Sequence, residues 1–252
     1  MASVIISLAV GACLLGGAFL GGRLQRVLPE HHLSAESKES IKIGTGLIAT
    51  LVALVLGLLV ASAKSSFDAK AEEIREIAAK VVQLDRTLRQ LGPRAAAARR
   101  FLREAVESRV RVNLGELGRP GAERRLAQAD PMDDLQEAIQ GLQPADERQR
   151  FLQGRALGLV GELSETRWLL VAQKGSSVSM PLVVVVVLWL AVIFTTLGLF
   201  APPNGTVRVI TVLCALSAST AVFLILELDR PFGGVLQISR EPLRIALGLL
   251  DS

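Results

Sequence analysis

The sequence predicts an all-α membrane protein with four transmembrane helices and a cytoplasmic helical domain inserted between the second and the third. Half of the 252 residues are apolar, and the mean hydropathy is positive at +0.44. The apolar residues gather in four blocks of about 18 to 22 residues, each long enough for a helix to cross the hydrocarbon core of a bilayer. A long charged segment with helical periodicity separates the second block from the third.

The four apolar blocks occupy residues 3–20, 43–63, 181–200 and 207–228. None of them shows the period-two alternation of a strand, so each is predicted to be a transmembrane helix. The first block has no Lys or Arg before it and lacks an A-x-A site, which favours an uncleaved helix over a signal peptide. A lipoprotein cleavage site at VGAC is the other alternative, and it also lacks a preceding basic region.

The blocks divide the chain into a first helix pair (1–63), a charged helical domain (64–178), a second helix pair (179–230) and a tail (231–252). Early in the charged domain, apolar residues recur at alternating spacings of three and four, which is typical of a coiled coil or helical bundle. These residues are Ile74, Ile77, Val81, Leu84, Leu88 and Leu91. Because no helix breaker precedes Gly92, the second transmembrane helix is expected to continue into this domain as a rod of about 70 Å.

The remainder of the charged domain also has helical periodicity. A return helix is predicted over 94–114, a loop at GELGRPGAE, and a short helix opened by Asp130 as N-cap with Pro131 in the first position. The last helix of the domain is predicted over 146–174 and ends at GSSVSMP. With 20 Lys/Arg and 17 Asp/Glu in residues 64–178, the charges indicate a solvated helical surface.

The distribution of Lys and Arg near the helix ends predicts the orientation. Nine lie on the side of the charged domain: Lys64, Lys70, Arg75, Lys80, Arg167, Lys174, Arg230, Arg240 and Arg244. Five lie on the other side: Arg23, Arg26, Lys38, Lys42 and Arg208. Because cytoplasmic loops carry the excess of Lys and Arg, both termini and the charged domain are predicted to be cytoplasmic.

The second helix carries a row of small residues at every fourth position. The row consists of Thr45, Ala49, Ala53, Gly57 and Ala61. Small residues let helices approach closely in lipid, so the row predicts packing within the subunit or between subunits. This helix has no ionisable residue between Lys42 and Lys64. The polar lining of a pore along it would consist only of Thr45, Thr50 and Ser62, and the pore would gate by dewetting. The alternative is that its aliphatic face meets lipid.

Two acids follow the fourth helix in the stretch LELDRPFGG. Glu227 and Asp229 lie at the negative end of a helix and beside lipid, so they are expected to need nearby positive charge. An ion pair with Arg230 or Arg240 is one interpretation, and a cation site built from both carboxylates is the other. The tail then contains a short amphipathic helix capped by Ser239, suited to the membrane surface or to a neighbouring helix.

Several classes of site are not indicated. The two cysteines, Cys13 and Cys214, both fall in apolar blocks, so no disulfide framework is expected. His31 and His32 lack the further ligands that a metal site needs. The sequence has neither the zinc spacing nor the aromatic interleaving of a nucleic-acid-binding domain. No catalytic motif is present, so we do not expect an enzyme.

Three stretches together resemble a known family. The second helix runs into SSFDAKAEEI, TRWLLVAQKGSSVSMPLVVVVVLWL leads into the third, and LDRPFGGVLQISREPL follows the fourth. They resemble the bestrophin-like membrane proteins of unknown function, over nearly the whole chain. Bestrophins themselves are oligomeric ion channels, commonly pentamers, with a pore along the second helix and a calcium-binding acidic clasp after the fourth. The resemblance implies a homo-oligomer. This chain has only Glu227 and Asp229 where that clasp would stand, and its second helix lacks the aromatic neck of the bestrophin pore.

The sequence therefore predicts an oligomeric ion channel or channel-like protein with a hydrophobic pore around the second transmembrane helix. The alternative function is a non-conducting scaffold or sensor whose cytoplasmic helical domain binds a partner. The expected location is the cell inner membrane, crossed several times with both termini in the cytoplasm. The expected partners are further copies of the chain, membrane lipid and a cytoplasmic protein. No cofactor is expected, with calcium at Glu227 and Asp229 as the alternative, and nucleic acid is not expected to bind.

Overall fold

The computed structural model describes residues 2–29, 34–111, 131–172, 178–202, 204–230 and 234–250. The helices among these residues are α1 (Ala2–Val27), α2 (Ala35–Gln90), α3 (Ala96–Arg111), α4 (Pro131–Gln140), α5 (Glu147–Ala172), α6 (Met180–Phe200), α7 (Gly205–Leu228) and α8 (Glu241–Leu250). No strand occurs in this part of the chain, which confirms the all-α class. The predicted loop GELGRPGAE, the Asp130 cap, the turn at Pro231 and the pair His31–His32 lie outside the described residues.

Four of these helices, α1, α2, α6 and α7, are long and apolar enough to cross a membrane. The four predicted transmembrane helices are therefore confirmed in length and composition. Two of them, α1 and α2, extend well beyond their apolar blocks into polar sequence. At the end of α1, for example, the Arg23 guanidinium lies 4.9 Å from the centre of the Phe19 ring, a cation–π contact.

The chain folds as two compact units. The first contains Met1–Ser66 and Ser176–Arg230, and therefore holds the four apolar stretches. The second contains Phe67–Gly175 and Pro231–Ser252, so the tail belongs to the same unit as the charged domain. Helix α2 contributes to both units, and its 56 residues run without a break, as the sequence predicts.

In the first unit, α1 packs against α6 and α7. The contact with α6 depends on glycines from both helices. A Cβ added to Gly17 would lie 3.0 Å from the Thr195 hydroxyl oxygen. At Gly21 a Cβ would collide with the Thr195 carbonyl oxygen, and at Gly198 with that of Ala18. These two backbones therefore touch, which only glycine allows.

The hydroxyl groups of α7 are satisfied in two ways. Three of them donate to the carbonyl four residues earlier, at 2.8 to 2.9 Å: Thr211, Ser217 and Thr220. Ser219 instead donates to the carbonyl of Ser7 on α1, beside Gly11. A hydroxyl bonded across two helices inside an apolar unit fixes their register, because an unpaired donor there would be costly.

The second unit has one hydrophobic core. The seam predicted on α2 is buried in it, with Leu84 and Leu88 fully inaccessible and Ile77 partly buried. Helix α3 supplies Leu102, and α5 supplies Val160, among other residues. The turn from α2 to α3 occurs at Gly92, whose φ of 77° is a left-handed conformation that favours glycine.

The tail helix α8 packs on the chain itself, against α3. Its buried face consists of Leu243, Ala246 and Leu250, and Ile238 just before the helix enters the same core. The Ser239 hydroxyl oxygen accepts a hydrogen bond from the Glu241 N–H at 3.2 Å, which agrees with the predicted cap. The structure thus shows the neighbouring helix as one surface that this helix contacts, and contact with the membrane surface stays a prediction.

Candidate functional site

The membrane-spanning part of α2 is the least buried of the four spans. About 11% of its apolar window is buried, against 22% in each of α1, α6 and α7. One narrow stripe is turned inward, comprising Val52, Leu59 and Ala63. The rest of the helix surface is therefore available to lipid or to another copy of the chain.

The predicted row of small residues lies mainly on this outward surface. Thr45 is half-buried, whereas Ala49, Ala53, Gly57 and Ala61 are exposed. A Cβ added to Gly57 would meet nothing within 4 Å. Close packing inside the first unit instead uses glycines of α1 and α6.

A second pattern on α2 becomes visible once its buried side is known. Outward-facing residues recur at spacings of four and three, as in a helical seam. They are Ile43, Leu47, Thr50, Leu54, Gly57 and Ala61, and all are exposed. The exposed fraction of the large side chains is 64% at Ile43, 65% at Leu47 and 71% at Leu54. Thr50, Gly57 and Ala61 were predicted from the sequence, whereas these three aliphatic residues were not, although their seven-residue spacing is a signal for them.

Thr50 is the polar member of this outward seam. Its hydroxyl donates to the Gly46 carbonyl at 3.0 Å, which satisfies its hydrogen but leaves its oxygen as an acceptor. There is no ionisable side chain between Lys42 and Lys64. The seam therefore presents aliphatic side chains, one hydroxyl and two small residues, with no fixed charge.

The acid pair occupies the end of α7. Glu227 is buried, with 2% of its surface exposed. Asp229 forms the C-cap of α7, and its Oδ1 accepts a hydrogen bond at 3.3 Å from the backbone N–H of Val178, just before α6. The carboxylate thus joins the end of one membrane helix to the beginning of another. This contact was not predicted from the sequence.

The two candidate partners of these acids lie in different settings. Arg230 is exposed, and its backbone N–H donates to the Glu227 carbonyl at 3.1 Å. Arg240 is half-buried and precedes α8 in the second unit. Pairing of their guanidinium groups with Glu227 or Asp229 stays a prediction. Within the described residues, no group of three or more His, Cys, Asp or Glu side chains is placed to hold a metal ion.

The four apolar helices and their packing define a polytopic α-helical membrane protein. A family model of the bestrophin-like domain matches residues 12–243, which is most of the chain. The chain therefore belongs to the bestrophin-like family, as the three stretches quoted above indicate. No curated protein and no solved structure matches it.

Proposed function

We propose that this protein is an oligomeric, channel-like membrane protein in which copies of α2 surround a hydrophobic pore. The observation that carries the proposal is the outward seam of α2, which is exposed in the subunit and free of ionisable groups. Parallel copies of such a seam meet around a common axis, as in a helical bundle. The resemblance to bestrophins suggests five copies.

The chemistry of the seam determines how such a pore would work. Rings of Leu47 and Leu54 side chains would form aliphatic constrictions, and the ring of Thr50 hydroxyls between them would be the polar step. Aliphatic constrictions exclude water when they are narrow and conduct when they widen, so gating is by dewetting. With no charged ring on α2, selectivity between ions would depend on pore width and on the hydroxyls.

The small row supports the self-association that the pore requires. Ala49, Ala53 and Gly57 leave a groove on the surface of α2. Lipid chains are as apolar as leucine, so helix association in a bilayer depends on close van der Waals packing, which small residues allow. A helix from a neighbouring copy fills such a groove better than lipid does.

We place the assembly in the cell inner membrane, with both termini and residues 64–178 in the cytoplasm and lipid around the outer helices. Nine Lys and Arg lie near the helix ends on the proposed cytoplasmic side and five on the other side, which supports this orientation. In this arrangement the charged helical domain is a cytoplasmic insertion. We assign no enzymatic activity to the protein.

A non-conducting scaffold or sensor is the second candidate, and one observation favours it. Phe151 on α5 is 68% exposed in the second unit, whereas the other exposed side chains described on α5, over residues 147–166, are polar or glycine. An exposed aromatic side chain on a polar helix is typical of a protein-binding surface. In this second function the helical domain would bind a cytoplasmic protein.

Electrical recording of the purified protein in planar bilayers tests the channel function. We expect single-channel currents, and Leu54→Thr should increase the open probability because a polar ring at the constriction favours water. Leu8→Thr on α1 is the matched control, since Leu8 is 68% exposed but lies outside the seam. Reproducible absence of current, with the oligomer intact, would favour the scaffold.

The oligomer itself is tested by Gly57→Leu. Because a Cβ at position 57 would meet nothing within 4 Å, this change should leave the subunit folded and break the association between copies. Size-exclusion chromatography with light scattering in mild detergent measures both. An unchanged oligomer would show that Gly57 does not lie at a contact between copies.

A further inference from the structure

A buried carboxylate near the end of α2 holds two arginines from different helices. Asp85 is 3% exposed. Its Oδ2 accepts from Arg89 Nε at 2.6 Å, and its Oδ1 accepts from Arg99 Nε, on α3, at 2.8 Å. Burying the carboxylate is tolerable because both oxygens are paired. Among the described side chains of the cluster, one negative charge therefore faces two positive charges, which leaves a surplus of one.

Both guanidinium groups are fixed by a second hydrogen bond. Arg89 Nη2 donates to the Leu249 carbonyl at 2.8 Å, and Arg99 Nη2 donates to the Leu250 carbonyl at 3.4 Å, in the last turn of α8. These bonds use Nε and Nη2 of each side chain. Neither Nη1 donates to any residue that the structure describes. The side chains of Arg89 and Arg99 remain 35% and 34% exposed, so donors are left for a ligand.

The surrounding sequence is rich in arginine. Residues 85–103 contain six Arg and no Lys, and Asp85 is their only acid. Arg86 and Arg100 each adjoin a member of the cluster and are exposed. The planar guanidinium fork binds pairs of oxygens on phosphate or carboxylate, which lysine cannot do. A carboxylate offers one such pair, whereas a tetrahedral phosphate group can offer one to each of two forks.

We propose that Arg89 and Arg99 form a binding site for a multivalent phosphate-type oxyanion, with Arg86 and Arg100 adding attraction at its edge. Asp85 and the carbonyls of α8 already hold the two guanidinium groups, so binding does not have to order them. The ligand neutralises the surplus charge and thereby strengthens the attachment of α8. A soluble ligand fits better than a lipid headgroup, because the apolar block of α2 ends at Ala63, 26 residues before Arg89 in the sequence.

The test is thermal unfolding of the full chain in detergent, titrated with inorganic pyrophosphate against sodium chloride of equal ionic strength. We expect a saturable rise in melting temperature with pyrophosphate alone. Arg99→Lys should abolish it, because lysine keeps the charge and loses the fork. The paired change Arg86→Ala with Arg100→Ala touches no contact of Asp85, so it should fold normally and raise the apparent Kd about tenfold.

The matched control is Arg150→Ala with Arg155→Ala, which removes two exposed arginines of α5 and should leave the response unchanged. A rise that chloride reproduces, or one that survives both cluster variants, overturns the proposal. Repeating the titration in nanodiscs of phosphatidylcholine and of phosphatidylglycerol separates the two sources of phosphate. We expect the same affinity in both, and loss of the pyrophosphate response in phosphatidylglycerol would assign the site to a lipid headgroup instead.

Discussion

Asp229 shows how one residue can be placed by opposing forces. A carboxylate at a helix C-terminus is repelled by the helix dipole, yet Asp229 is held there by the Val178 N–H. In metal-free buffer we expect Asp229→Asn to lower stability, because it removes the charge that a cationic neighbour would pair with. Asp229→Ala should lower stability further, because it also removes the oxygen that accepts from the Val178 N–H. We expect these changes to cost on the order of 1 to 3 kcal/mol.

The measurement is the melting temperature in detergent with a chelator, and Glu104→Gln, an exposed acid on α3, is the control. The ion-pair interpretation predicts that the effect of Asp229→Asn needs no metal. If Asp229→Asn changes nothing with chelator present but abolishes a stabilisation of the parent protein by calcium, the cation site is the correct interpretation of Glu227 and Asp229.

Glu73, on the part of α2 in the second unit, gives a dependence on pH. Its Oε2 is buried without a hydrogen-bond partner among the described residues. Burial raises the pKa of this carboxyl above its ordinary value of 4.5; Lys70 lowers the pKa and Glu76 raises it by smaller amounts. A raised pKa means that the folded state binds the proton more tightly than the unfolded state does. Stability is therefore greater at acid pH and declines as the pH rises from about 4.5 through the folded pKa.

Glu73→Gln should remove this decline and raise the melting temperature at neutral pH, since the neutral amide avoids the cost of a buried charge. The effect is measured by melting curves between about pH 4 and 8, recorded at one ionic strength, with Glu104→Gln as the control. A parent protein and a Glu73→Gln variant with parallel pH profiles would show that Glu73 does not titrate in this window.

Among the elements, α1 and α6 make the closest contact, and it depends on particular glycines. Gly198→Ala would place a Cβ against the backbone carbonyl of Ala18, which cannot move without shifting the helix. We expect it to cost about 1 to 3 kcal/mol, the usual cost of overpacking. Gly16→Ala is the control in the same membrane unit, because a Cβ there meets nothing within 4 Å and alanine favours a helix. Equal melting temperatures for the two variants would contradict the close approach.

The elements themselves were largely predictable from sequence, whereas their neighbours were not. Apolar length, heptad spacing and the absence of a breaker before Gly92 are local properties, and they were sufficient to predict α2 through both units. The partner of a small residue is a tertiary property. Gly57 and Gly21 both lie among small residues of an apolar helix, yet of the two only Gly21 meets another backbone in the subunit.

The same limit applies to the candidate site as a whole. The absence of charge on the apolar block of α2 is evident from the sequence. The outward seam of Leu47 and Leu54 can be identified only from the fold, which shows that Val52 and Leu59 face inward. The cluster at Asp85 likewise required the fold, because Arg99 and the end of α8 come from distant parts of the chain. Sequence identifies the chemical groups, and contacts determine which of them act together.

For the whole molecule, the orientation in the membrane follows from charge and can be tested by cysteine labelling. Cys13 and Cys214 are first replaced by serine, so that no native thiol reacts. Gly158→Cys on α5 should then react in whole cells only with membrane-permeant reagents, and Gly205→Cys at the start of α7 should react with impermeant ones. Both positions have open space around them, so a new side chain is tolerated and accessible.

The expected pattern rests on the nine Lys and Arg of one side against five of the other, an electrostatic bias acting during insertion. Arg23 and Arg26, directly after the first span, oppose it. A control in permeabilised cells should label both cysteines and so prove that each thiol is reactive. The reverse pattern in whole cells would mean that these two arginines decide the orientation, and the second unit would then lie outside the cytoplasm.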